Sequence, residues 1–257
     1  MKAALSGWAR VVVASLAVFG SGWVMFTATP ASAFEGEIDA KATGESKDEV
    51  VDFTIFVSKK GDTRIDTTTK GRRGNTSRTS YIKPATGKSD YIVDHSKKQA
   101  IGMPKSMIRK MAEQQQSGGN SKPNVEVKKL GTETVAGQPT RHVQIIDKDT
   151  GDISDVWMTD RYPVTLWQQA FSMGSVSATS PTGEWTRLAK ETYGVKPGFF
   201  MKMVSKSKRG ASSSLEVMRI EDKRVAPDTF KVPPGYKSTM MPDMSSMQNM
   251  QAPSMPQ

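Results

Sequence analysis

The chain has 257 residues, with 36 lysines and arginines against 26 aspartates and glutamates, a formal net charge of +10, two histidines and no cysteine. The missing thiol excludes disulfides, thiolate zinc sites and a cysteine nucleophile, and it removes the residue on which a lipoprotein anchor is built. At this length one hydrophobic core, held together by burial alone, is the natural expectation.

Residues 1–33 place Lys2 and Arg10 around the start of an apolar run from Val11 to about Phe26, followed by Pro30 and Ala31-Ser32-Ala33. Charge, apolar stretch and small-residue site in that order make a cleaved export signal, so the protein is expected in the periplasm or outside the cell, without lipidation. The alternative is an uncleaved membrane anchor, which wants about 20 apolar residues; Gly20, Ser21 and Gly22 interrupt the run. Two of the 36 basic and none of the 26 acidic side chains precede position 34, so the remainder carries 34 against 26, a net +8. In an exported protein that balance favours an anionic envelope surface over nucleic acid as partner. The basic residues fall in pairs, such as Lys59-Lys60, Lys97-Lys98, Lys128-Lys129 and Lys208-Arg209. Scattered pairs suit solvated strand faces equally well, unless the fold gathers them.

From position 50 the pattern is that of strands. EVVDFTIFVSKKG puts Val51, Phe53, Ile55 and Val57 on one side of an extended chain and closes in a turn, and DTRIDTTTKG follows as its threonine-rich partner. SRTSYIKP and SDYIVDH continue the meander around Ala85-Thr86-Gly87. PKSMIRKMAEQQQSGG breaks it: Pro104 suits a first helical turn, Met107, Ile108 and Met111 recur at helical spacing, and Gly118-Gly119 stop the run. VEVKKLGTETV, RHVQIID and ISDVWMTD are further strands punctuated by Gly131, Gly137 and Gly151. A second helix is expected in PVTLWQQAFSM or EWTRLAKETY. FFMKMVSKS then sets Phe199, Met201 and Met203 on one face, SSLEVMRIED opposes Leu215 and Val217 to Met218 and Ile220, and PDTFKVPPGYK closes the domain.

The fold class expected from this order is α+β, mostly β: a single curved antiparallel sheet, an unclosed half-barrel, with one to three helices on its concave side. It occupies residues 34–237. Residues 238–257, rich in methionine, serine and proline, form a disordered tail.

The chemistry of catalysis is thin. Asp94-His95-Ser96 contains the three residue types of a hydrolase triad, but neighbours on a strand point to alternate faces and cannot form a relay. His142 lacks companions at metal-ligand spacing. No nucleophile elbow, phosphate-binding loop or dinucleotide motif occurs. A carboxylate pair of the glycosidase kind stays open, because its separation in space cannot be read from sequence. The expectation is a protein that is not an enzyme and carries no cofactor.

FEGEI at 34–38, LGTETVAGQPTRHVQI at 130–145, VWMTD at 156–160 and DTFKVPPGYK at 228–237 resemble, in that order, the phrases of an exported bacterial family, domain of unknown function 4412. That family is similar to the lipoprotein carriers typified by LolA and LolB, so the resemblance implies an unclosed barrel plugged by helices and brings no catalytic residues with it.

Three functional readings follow. In the first, the hollow of the half-barrel accepts a lipid, a lipoprotein acyl chain or another apolar ligand, with Phe53, Ile55, Trp157, Met201 and Met203 as lining residues. The same five are equally ordinary core. In the second, Met241, Met244, Met247 and Met250, spaced three apart in the tail, bind a soft metal such as Cu(I) or Ag(I), or the tail serves a structural accessory role. In the third, the protein is an envelope stress sensor that signals to a membrane partner.

Overall fold

A computed structural model describes residues 34–44, 50–70, 74–116, 124–162 and 198–242. The strands in these segments are β1 (Gly36–Thr43), β2 (Val50–Val57), β3 (Thr63–Lys70), β4 (Thr76–Lys83), β5 (Ser89–Asp94), β6 (Gln99–Pro104), β7 (Val125–Val135), β8 (Gln138–Asp147), β9 (Ile153–Thr159), β10 (Phe199–Lys206), β11 (Ser212–Asp222) and β12 (Lys237–Met240). All belong to one twelve-stranded sheet in the order β12-β6-β5-β4-β3-β2-β1-β11-β10-β9-β8-β7. Two meanders build it. β1 to β6 step outward from the middle of the sheet, and β7 to β11 step inward until β11 pairs with β1. The edges, β12 and β7, are not joined, so the sheet is unclosed.

Every pairing is antiparallel except the last. β12 lies parallel to β6, with Lys237 opposite Gln99 and Met240 opposite Gly102. The sheet is therefore mixed rather than antiparallel throughout, and it runs beyond the boundary expected at Lys237. Among the described residues there is one α-helix, α1 (Lys105–Gln116), where one to three were expected; both candidate segments for a second helix lie outside the described residues. Pro104 ends β6 opposite Ser89 instead of opening the helix. Pro227–Phe230 form a 3-10 turn. Among the described residues no helix is long and apolar enough to cross a membrane.

Alternation sorts the side chains onto two faces. The apolar face carries Ile38, Ala40 and Ala42 of β1, Val51, Phe53, Ile55 and Val57 of β2, and Ile65 of β3, which face one another across the ladders. Most of these are buried, Ile38 and Val51 to 1% exposure. The other face of β1 and β2 presents Glu37, Asp39 and Lys41 beside Asp52 and Thr54. Two bulges alter the expected facing. In β11 the register shifts at Met218, between Val217 opposite Ala40 and Arg219 opposite Asp39. The extra residue turns Met218 outward, 57% exposed, and returns Ile220 to the apolar face opposite Ile38. In β10 a bulge at Met201 separates it from Met203. Met201 joins the largest apolar cluster with Phe199 and Tyr162, whereas Met203 packs with Val143, Val156 and Met158.

After β11 the chain becomes a strap across the polar face of the first meander. Glu35 takes the N–H groups of Lys223 and Val225, and Arg64 Nη1 donates to the Thr229 carbonyl at 3.1 Å. Val225 and Phe230 are buried with Ile82, Val93 and Ala100, with Phe56, Tyr91, Val232 and Tyr236 packed around them. The strap delivers β12 to the edge of β6, and Met241 N–H caps the pairing on the Gly102 carbonyl at 2.8 Å.

Candidate functional site

The apolar face is not sealed evenly. Phe53, Phe200, Met203 and Leu215 remain half-buried. Met203 and Leu215 are direct cross-strand partners, and Leu215 continues through Ala42 to β2. These four form a strip of partly accessible apolar surface on the core side of the sheet.

Its last rungs turn polar. Thr63 lies opposite both Val57 and Lys83, and the next step of the β4–β5 ladder sets Lys83 against Asp90, itself opposite Met103. A row of Thr63, Lys83 and Asp90 thus crosses the apolar face at one end of the sheet. Thr63 is wholly buried and Asp90 is 3% exposed. The Tyr81 hydroxyl donates to Asp90 Oδ2. Lys105, at the start of α1, bonds the Pro84 carbonyl and holds its Nζ 3.8 Å from Asp90 Oδ1, too far for a hydrogen bond. Asp90 Oδ1 and Thr63 Oγ1 have no hydrogen-bond partner among the described residues. Burial pushes the Asp90 carboxyl above its ordinary range against the pull of Tyr81 and the two lysines. It also lowers Lys83, with Asp90 opposing. Each buried group without a partner costs about 1–3 kcal/mol, so two in one row require an explanation.

The five residues expected to line a hollow are divided by the fold. Phe53 and Met203 lie in the accessible strip. Ile55 and Met201 are closed core, at 2% and 0% exposure. Trp157 stands opposite His142 and Lys202 in its ladders, on the polar side, while also packing against the largest apolar cluster. Its ring stacks on His142 with centroids 4.1 Å apart and 17° between planes, and its Nε1 donates to Glu133 at 2.9 Å. His142 also meets Glu133 at 2.9 Å and Asp155 at 3.1 Å; the strands supply the companions that spacing along the chain lacks. Among the described residues no group of three or more histidine, aspartate or glutamate side chains is placed to hold a metal ion.

His95 is turned away from its chain neighbours. Asp94 accepts from the Ser96 hydroxyl and the N–H groups of Ser96 and Lys97, holding a turn. His95 instead meets Ser80 Oγ at 2.6 Å and the Tyr236 hydroxyl at 2.9 Å. Ser80 donates to Asp66, which Arg64 also bonds. The network ties the strap to the sheet.

Of the tail methionines, Met241 is tied to β6 by its N–H, and Met244, Met247 and Met250 lie outside the described residues. The basic pairs are not gathered. The turns holding Lys97-Lys98 and Lys208-Arg209 sit at one end of the sheet, Lys59-Lys60 at the other, and Lys128-Lys129 within edge strand β7.

The polar row escaped sequence reading. The available signal was alternation itself: Lys83 shares a face with Tyr81, and Asp90 with Ile92, which is a charged residue on an apolar side in two adjacent strands.

Among solved structures the chain is similar to a MucA/MucB complex from Pseudomonas aeruginosa, at 12% identity, covering 77% of this chain and 55% of that one, TM-score 0.38. It is also similar to an outer membrane lipoprotein-sorting protein domain from Vibrio parahaemolyticus, at 9% identity, covering 87% and 95%, TM-score 0.29. A third likeness is to a DUF1329 family protein from Desulfovibrio piger, at 8%, covering 78% and 90%, TM-score 0.28. The chain spans 57% and 66% of two further MucB chains that it matches. At these scores the likenesses bear on neither ligand nor partner. No curated protein matches the sequence. The family described as Domain of unknown function (DUF4412) matches residues 34–236, from the first described residue through the strap to the threshold of β12, and the chain belongs to that family.

Proposed function

We propose that this is an exported, non-enzymatic envelope protein that binds a lipid or other apolar chain against the core face of its open sheet. The observation that supports this most directly is the half-buried strip of Phe53, Phe200, Met203 and Leu215, large apolar side chains on the core side of the sheet that are not closed off from solvent. A face finished as plain core would bury them as it buries Ile38, Val51 and Met201. Methionine and phenylalanine suit an occupant of variable length, and the polar row supplies the few oriented groups that a small-ligand site normally contains.

The test uses the chain from Phe34 onward, stripped of lipid, and an environment-sensitive fluorescent fatty acid. Saturable uptake is expected, together with acyl-chain species in the native mass spectrum of undenatured protein. Absence of both overturns the reading. Phe53→Glu and Met203→Glu are expected to reduce uptake at least tenfold while the circular dichroism spectrum is retained, since each places a charge in the strip.

A further inference from the structure

The strip and the row belong to one face, and together they specify more than an apolar chain. Phe53 lies four residues along β2 from Val57, which stands opposite Thr63. At the rise of an extended strand that is roughly 13 Å from the row. Between them stands Tyr81, beside Ile65 in the ladder and bonded through its hydroxyl to Asp90. An amphiphile lying along the strands would bring its head to the row at the end of the sheet.

We propose that Thr63 Oγ1 and Asp90 Oδ1 hold the uncharged polar head of a single-chain amphiphile, a hydroxyl- or amide-bearing group that donates to Asp90 and accepts from Thr63. The inference rests on the apolar-chain reading above and adds the chemistry of the head. The choice follows from what the two unpartnered atoms need and what surrounds them. A carboxylate has no proton to give Asp90 Oδ1 and would bring a second negative charge to it. An ammonium head could donate, but would meet Lys83, directly opposite Thr63, and Lys105, 3.8 Å from the same oxygen. An aprotic ester can accept from Thr63 and offers Asp90 nothing. A neutral head that carries a donor and an acceptor on separate atoms, as a glycerol does, can offer one to each of these residues, which stand on either side of β4, and leaves the Lys105 contact in place. The buried location makes the choice selective, because a site built around polar atoms rejects a ligand that leaves them unpaired.

The test compares four oleoyl probes by isothermal titration at fixed pH and salt: 1-oleoylglycerol, oleate, oleylamine and methyl oleate. The glycerol ester is expected to bind on the order of tenfold more tightly than methyl oleate, the scale of one buried hydrogen bond. Thr63→Val is close to isosteric and removes a hydroxyl that has no hydrogen-bond partner among the described residues, so its unfolding midpoint should be unchanged or higher. It is expected to weaken 1-oleoylglycerol and methyl oleate alike, because both heads can accept from Thr63. Asp90→Leu, checked by circular dichroism, should erase most of the preference while leaving methyl oleate binding unaffected, because only the glycerol head donates to Asp90. If all four probes fail to bind, the apolar-chain reading falls and this inference with it. If the probes bind with equal affinity, or the preference survives Asp90→Leu, the apolar-chain reading stands and the head-group assignment is overturned, leaving the row to internal water.

Discussion

Protonation of His95 is the clearest residue-level lever on stability. Ser80 Oγ gives its only proton to Asp66, so the contact with His95 Nε2 requires the imidazole to donate there, leaving Nδ1 as the lone pair that accepts from Tyr236. Neutral histidine satisfies both partners, and burial lowers its pKa, Arg64 and Arg78 adding to the effect. The unfolded chain takes up that proton near pH ~6.5, the folded chain only at lower pH. The unfolded state therefore binds more protons in that window, and this contribution, complete above about pH 6.5, is lost as the pH falls toward the folded value. The unfolding midpoint should drop as the pH falls below about 6.5, and His95→Gln should flatten the slope there; parallel profiles would remove His95 from the account. Asp90 acts with the opposite sign. Its folded pKa is raised, so acidification relieves a strain that the unfolded chain does not have. Side-chain truncation separates core from site. Ile55→Ala and Met201→Ala, both fully buried, should each cost about 2–5 kcal/mol in denaturant melts. Phe53→Ala and Met203→Ala should cost less stability and more ligand affinity.

At the scale of elements, the strands legible in the sequence were those with strict alternation. β2, β3 and β8 lie where the period-2 pattern placed them, because a half-buried antiparallel strand needs that pattern. β6 and β12 carry none. Lys237–Met240 is exposed throughout and becomes a strand only because the strap sets it beside β6. A chain ending at Pro242 should keep its full unfolding midpoint, whereas one ending at Tyr236 should lose stability and expose β6 as a new edge, with greater aggregation; equal midpoints would show that β12 holds nothing. The bulges were invisible because one inserted residue reverses every later side chain, and only the partner strand shows where it sits. The β7–β8 hairpin offers a gain. Ala136 and Gly137 both have positive φ, 46° and 71°. Such two-residue turns favour Asn-Gly, and Ala136→Asn should raise stability by about 0.5–1 kcal/mol in the same melts.

For the whole molecule, the sheet is closed in the middle by its most distant neighbours, β1 and β11, and left open at β7 and β12. A ligand that binds only the folded state should raise the unfolding free energy by about 2.7 kcal/mol at a hundredfold excess over its Kd. 1-Oleoylglycerol should therefore shift the thermal midpoint upward, and Asp90→Leu, through a loss of about tenfold in affinity, should reduce the shift by about half. Sequence alone determined the β-rich class, the family, the helix at Lys105 and the apolar side of β2, because each is written in local periodicity or in an ordered set of short phrases. The tertiary structure alone decided the central pairing of β1 with β11, the strap that makes a parallel strand of the residues after Tyr236, and the division of the five expected lining residues between strip, core and polar face. It also brought Thr63, Lys83 and Asp90 into one row. Those are contacts between residues far apart in the chain, and register between strands, unlike period within one, leaves no mark on the sequence of either partner alone.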